Sequence, residues 1–158
     1  MPETNTLPSR GSLERAIEIA ARGHAGQTDK AGAPYILHPL RVMLRLKSVD
    51  TRIAGVLHDV IEDCGWTLDG LRAEGFSETV LAALDAVTRR AGESYEDFVR
   101  RAAAHPVGRQ VKLADLEDNC DLSRIAAPTA RDHARIAKYR RAIALIRDEA
   151  ARGKGAEP

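Results

Sequence analysis

Two residues with metal-binding side chains, His58 and Asp59, stand side by side in an otherwise apolar stretch, TRIAGVLHDVIE. Ile53, Val56, Leu57, Val60 and Ile61 leave that stretch almost no face for water. Burying a neutral polar group there without a partner costs about 2–7 kcal/mol, and a charge costs more. A divalent cation removes the difficulty, because zinc, manganese and iron accept imidazole and carboxylate as ligands. Two other residues share this setting: His38 follows Ile36 and Leu37, and Asp115 follows Val111, Leu113 and Ala114. Both side chains are expected to point inward. Two imidazoles and two carboxylates form a mixed nitrogen and oxygen set that leaves positions for water, the arrangement of a catalytic site rather than a structural one. Glu62 and Asp63 follow His58 and Asp59 by four residues, one turn further along the same helical faces. Bordering the metal without binding it, they are the acid–base candidates, able to take a proton from water or give one to a departing oxygen.

Positioning these residues requires helices. Helical periodicity runs through nearly every segment, and strand-type alternation is absent over any useful length, so the expected class is all-α, a single bundle of about eight helices. Ser12 is placed to cap a first helix through Arg22, with Leu13, Ile17, Ile19 and Ala20 as its apolar stripe and Gly23 as its stop. HAGQTDKAGAP then reads as a loop, and Pro39 as the opening of a short helix to about Leu46. One helix is expected over Thr51–Glu62, a short one after Thr67, one from about Ser77 to Arg89, and another from about Ser94 to Ala104. Arg109–Asn119 continues the series. Thr129–Ala151 closes it, with Ile136, Tyr139, Ile143 and Ile146 on one side. Residues 1–10 and 153–158 read as flexible tails around one domain spanning 11–152.

Composition narrows the partners. Twenty-four basic and 23 acidic residues leave a net charge of +1, which gives no field of one sign for a nucleic acid or a membrane surface. A small molecule is the expected partner. Neither a signal-type h-region nor an apolar run of about 18 residues occurs, so a cytoplasmic location is expected. Cys64 and Cys120 form no CxxC pattern and are expected to be reduced and not to be ligands.

PYILHPL, HDVIED and VKLADLEDN, in that order, with HAGQ upstream and Val87-Thr88 between, resemble the HD-domain hydrolases of the RelA/SpoT group, and among them the stand-alone small alarmone hydrolases. The resemblance covers about Leu13 to Arg124. It implies a helical HD domain holding one Mn ion, or another divalent transition metal, through His38, His58, Asp59 and Asp115. It also implies that Glu62 and Asp63 support attack of water on the 3′-pyrophosphate of (p)ppGpp, giving GDP or GTP and pyrophosphate. Lys30 matches a basic residue of the substrate loop, Tyr35 lies beside the pocket, and Asn119 matches a residue near ribose and guanine. No residues follow the closing helix for a synthetase domain, so synthesis is not expected.

The sequence also departs from the resemblance. TDKAG carries one base, Lys30, preceded by Asp29, where relatives have two or three basic residues. LEDNCDLSR is one residue shorter than in some relatives, with Asp118 and Asp121 adding acid near Asn119. Two other functions therefore stand beside alarmone hydrolysis: an HD phosphohydrolase of another nucleotide or phosphoester, and a non-catalytic alarmone-binding module. Plainer roles fit the remaining candidates. His24 reads as a helix-end cap, His105 and His133 as solvated, Trp66 as packing, and the arginine pairs at 89–90, 100–101 and 140–141 as solvated faces.

Overall fold

Ser12, Ser48, Thr67, Ser77 and Ser94 each turn a hydroxyl oxygen back to a backbone N–H two or three residues into a helix, and these caps mark off much of the architecture. In the computed structural model, which describes residues 7–154, the helices are α1 (Leu13–Gly23), α2 (Leu37–Arg45), α3 (Val49–Leu57), α4 (Val60–Asp63), α5 (Leu68–Ala73), α6 (Glu78–Val87), α7 (Tyr95–Ala104), α8 (Pro106–Asn119) and α9 (Ala130–Lys154). Among the described residues there is no sheet. Extended pairing is confined to one isolated bridge between Thr28 and Pro34. The expected all-α bundle of about eight helices is what forms, α4 being a single turn beyond α3.

The centre is α3, which packs against α1, α2, α6 and α8. Val56 and Leu57 are fully buried there with Val42, Leu84 and Val111 from three neighbouring helices. Full burial stabilises each such side chain by roughly 1.5–3 kcal/mol. Gly55 lets α2 come close, because a Cβ at that position would meet Leu46 Cδ1 at 2.6 Å. A smaller cluster of Val99, Ala103, Leu116, Ala142 and Ile146 ties α9 to α7 and α8. The face of α9 expected to be apolar is the one that packs, with Ile136 and Ile146 buried and Tyr139 and Ile143 partly so.

Three differences from the expected helix boundaries have a clear physical reason. The helix expected over Thr51–Glu62 breaks at His58-Asp59, where Asp59 takes φ −104° and ψ −4°. The His58 ring Nδ1–H also donates to the Gly55 carbonyl at 2.7 Å, a local side-chain bond that competes with the helical ladder. Secondly, α2 starts at Leu37, two residues before Pro39, because Pro39 in a first turn lacks only an N–H that the helix does not need there. Thirdly, α8 starts at Pro106 and not Arg109. His105 is its cap, accepting the Gly108 N–H on Nδ1 at 3.0 Å, so His105 is structural and not merely solvated.

Of the ends read as flexible, 1–6 and 155–158 lie outside the described residues. Gly11 N–H donates to the Glu74 carbonyl at 2.9 Å, and the Arg10 guanidinium reaches the Ala73 carbonyl. None of the described helices is long and apolar enough to cross a membrane.

Candidate metal centre and adjoining cleft

The break after Leu57 brings His58 and Asp59 to the same point as His38 from the first turn of α2 and Asp115 from the third turn of α8. His38, His58 and Asp115 are all buried, and one donor atom from each lies within 4.8 Å of the others. His38 Nε2 is 3.3 Å from His58 Nε2 and 3.1 Å from Asp115 Oδ1, and His58 Nε2 is 3.5 Å from that oxygen. Asp59 Oδ2 joins them, 2.9 Å from His58 Nε2 and 3.8 Å from His38 Nε2. Ligands about 2.1 Å from an ion are separated by about 3.0 Å in octahedral and about 3.4 Å in tetrahedral geometry. The observed spacings fit both.

Hydrogen bonds on the far side of each ring fix what the cluster offers. The Gly55 carbonyl can only accept, so His58 Nδ1 must donate to it, and Nε2 is the nitrogen left to bind at the cluster. His38 Nδ1 lies 2.7 Å from Asp118 Oδ2. Burial alone would raise the Asp118 carboxyl, but hydrogen bonds from His38 and Arg41 hold it well below the ordinary carboxylate range. It is therefore an acceptor, and His38 Nε2 is likewise the nitrogen that faces the cluster. Burial likewise opposes charge on the two rings. The neighbouring carboxylates outweigh it, Asp115 and Asp118 for His38, Asp59 and Asp115 for His58, and raise both imidazoles above their usual value. A site that draws in positive charge and aims two imidazole nitrogens and two carboxylates at one point is able to coordinate a divalent metal.

Asp115 is braced three ways. Its Oδ2 takes the Lys112 ammonium at 2.9 Å, and its Oδ1 takes Asn119 Nδ2 at 2.8 Å and faces His38. Burial pushes the Asp115 carboxyl up, but Lys112 and His58 pull it well below the ordinary range. Lys112 itself is buried, with Nζ 4.8 Å from the Phe98 ring centroid. The Tyr35 hydroxyl donates to Asp59 Oδ2, and burial together with the Asp59 charge raises the Tyr35 hydroxyl far above its ordinary value.

A cleft of about 420 Å³ opens beside the cluster, lined by His38, Lys30, Tyr35 and Asn119 together with Arg41, Arg124, Arg135 and Tyr139. The four expected ligands thus come together, and the three expected substrate contacts line one cleft with His38. Burial and the nearby Arg135 lower the Lys30 ammonium. Glu62 and Asp63 lie outside that lining and are exposed. Glu62 Oε1 accepts the Arg89 N–H at 2.7 Å, just beyond α6. Partial burial, then the Asp59 charge, raise the Asp63 carboxyl. Because of the break in the helix, this pair does not continue the faces of His58 and Asp59 as a straight helix would.

Several residues escaped the sequence reading. Asp118, read only as acid added near Asn119, is fully buried and orients His38; the available signal was its place three residues after Asp115 on an inward-facing helix. Lys112, three residues before Asp115 in an apolar run, offered the same kind of signal. Asp29 lines the cleft and also shapes its own loop, its Oδ1 accepting the N–H groups of Ala31 and Ala33 at 2.9 and 3.0 Å. His24 caps α1 with its backbone N–H, while its buried ring meets Gln27 Oε1 at 2.8 Å and lies 4.8 Å from the Tyr35 ring. Arg101 is no solvated charge either, since it clamps Glu93 and the Asp85 and Thr88 carbonyls. Both cysteines are free, and His133 is exposed, as expected.

The HD domain family matches residues 16–150. The chain is 36% identical over 126 residues to a GTP pyrophosphokinase of Streptomyces coelicolor, covering 72% of this chain and 14% of that protein. It is 34% identical over 119 residues to a guanosine-3′,5′-bis(diphosphate) 3′-pyrophosphohydrolase of Aquifex aeolicus, covering 68% and 17%. The chain thus spans only 14–17% of the length of these curated relatives. A solved structure described as a metazoan ortholog of SpoT that hydrolyses ppGpp superposes with a TM-score of 0.72 at 21% identity, over 89% of this chain and 87% of that one. At that identity the likeness is one of fold.

Proposed function

This chain belongs to the HD domain family, and from that premise we propose that it is a metal-dependent hydrolase that removes the 3′-pyrophosphate of guanosine 3′,5′-bis(diphosphate) and related alarmones, giving GDP or GTP and pyrophosphate. The observation that carries the reading is the convergence of His38 and His58 Nε2 with Asp59 and Asp115 beside a cleft lined with cations. The relatives whose names specify this reaction support the choice of substrate.

His38, His58, Asp59 and Asp115 would hold the cation, with Mn preferred in a cytoplasmic setting. When bound, a divalent cation supplies Lewis acidity toward a phosphoryl oxygen and lowers the pKa of water. Asp118 and the Gly55 carbonyl keep both imidazoles turned toward the cluster, and Lys112 and Asn119 keep the Asp115 carboxylate there. Asp63, its carboxyl raised by partial burial and the Asp59 charge, is suited to passing a proton, and Glu62 is held still by the Arg89 N–H while it does the same work. Lys30, Tyr35 and Asn119 orient the nucleotide along the cleft.

The test is to incubate the purified chain with Mn and guanosine 3′,5′-bis(diphosphate), alongside a panel of nucleoside 5′-monophosphates, and to measure released pyrophosphate and phosphate. Pyrophosphate from the first substrate is expected. Phosphate from the monophosphates without pyrophosphate would transfer the site to another nucleotide, and nucleotide binding without either product would make the chain a binding module.

A further inference from the structure

Asp118, the carboxylate that orients His38, also anchors two arginines in the cleft wall. Arg41 on α2 gives Nε and Nη2 to its two oxygens at 2.9 and 3.1 Å. Arg124, in the loop after α8, gives Nη2 to the Asp118 backbone carbonyl at 2.9 Å, lies 3.5 Å from Oδ2, and gives Nη1 to Asp121 at 2.9 Å. Both line the cleft and keep 28–29% of their side chains exposed to it or to solvent. Arg41 Nη1 takes no part in the Asp118 contact. A guanidinium held by part of its fork keeps other N–H groups in a planar array that matches a phosphate.

There is more positive charge here than burial of one carboxylate requires. His38 donates to Asp118, Arg41 pairs with it bidentately, and Arg45 Nη2 stands 3.8 Å away on the same helix, outside the cleft lining. Arg124 is then added from a separate segment. Around the cleft, Lys30, Arg41, Arg124 and Arg135 are set against Asp29 and Asp121, with Asp118 behind Arg41 and Arg124 and Asp132 2.8 Å from Arg135. The guanidinium groups of Arg41 and Arg124, fixed on a buried anion with part of each fork uncommitted to it, are preorganised for an anionic ligand.

We propose that Arg41 and Arg124 form a phosphate-binding subsite that takes the phosphate groups of a nucleotide which are not the ones being cleaved. The His38 ring separates the two positions, its Nε2 facing the metal cluster and its Nδ1 facing Asp118. The subsite rests on the nucleotide reading above but has its own test.

Binding of GDP to the full chain with Mn present, followed by isothermal titration, addresses the subsite without turnover. Arg41→Gln and Arg124→Gln should each weaken GDP by about tenfold, the effect of losing a charge-assisted hydrogen bond. Arg45→Gln should stay within about twofold, as an exposed ion pair would. Arg41→Lys should fall between, keeping the charge but losing the fork. Thermal melting identifies any variant that fails to fold; if Arg41→Gln does, Arg124→Gln carries the test. No GDP binding by the unmodified chain, unchanged binding in Arg41→Gln or Arg124→Gln, or an equal loss in Arg45→Gln overturns the subsite. If the unmodified chain releases no pyrophosphate while Arg41→Gln still loses GDP, the hydrolytic reading falls and the subsite stands.

Discussion

His38, His58 and Asp115 are 4–6% exposed, and each is held from behind by another protein group, Asp118, the Gly55 carbonyl and Lys112 respectively. Lys30, at the cleft, is exposed, on a loop shaped by Asp29 and one bridge between Thr28 and Pro34. In the cluster, packing sets ligand geometry before any ligand arrives. In the loop, local hydrogen bonds set the backbone while Lys30 itself stays exposed. Metal binding should therefore be sensitive to residues that never touch the metal, and nucleotide binding to the few cations the core holds in place.

The cluster is most vulnerable at Asp115. Asp115→Ala removes a ligand and leaves Lys112 buried without its partner, so it should abolish metal uptake and cost about 3–5 kcal/mol of stability. Metal analysis and urea unfolding in chelator measure the two losses separately; intact metal content would show that the cluster is not the site. Glu62→Ala, at the exposed edge, should leave metal content unchanged while turnover falls about 10²–10⁴-fold. Loss of metal in that variant would erase the division between ligands and acid–base groups. Asp118→Ala tests the middle ground, and metal affinity measured by competition should drop about 10–100-fold although Asp118 is not a ligand.

The smallest effect lies outside the metal cluster and the cleft lining. Hydrogen bonds from Arg101 and from the Arg90 backbone depress the Glu93 carboxyl from 4.5 to about 2. A depressed carboxylate adds stability above its unfolded value, and that contribution disappears as pH falls from about 4.5 toward 2. Acid titration of Glu93→Gln should therefore converge with the unsubstituted chain near pH 2 and fall below it above pH 5. A constant offset across that range would show that the pair contributes through packing instead.

Much of this was legible in the residues. Ser12, Thr67, Ser77 and Ser94 marked helix starts because a hydroxyl cap is a local device, readable from a few neighbours. The four expected ligands were legible because each interrupts apolar residues, and a polar group in such a context needs a partner. The break at Asp59 was hidden, since the apolar pattern continues through it and nothing in the pattern registers the bond from His58 to the Gly55 carbonyl. Asp118 was hidden for a different reason. A carboxylate has the same letter whether it faces water or a buried imidazole.

A helical domain, its apolar faces and the types of ligand available to a metal follow from the residues alone, because periodicity, caps and desolvation cost act over short stretches of chain. Tertiary structure alone decided that His38 and Asp118, 80 residues apart, meet at 2.7 Å, and that Arg41 and Arg124 share that carboxylate. Those contacts depend on how α2, α3 and α8 pack, and helix packing is set by the summed shape of many side chains rather than by any short run of them.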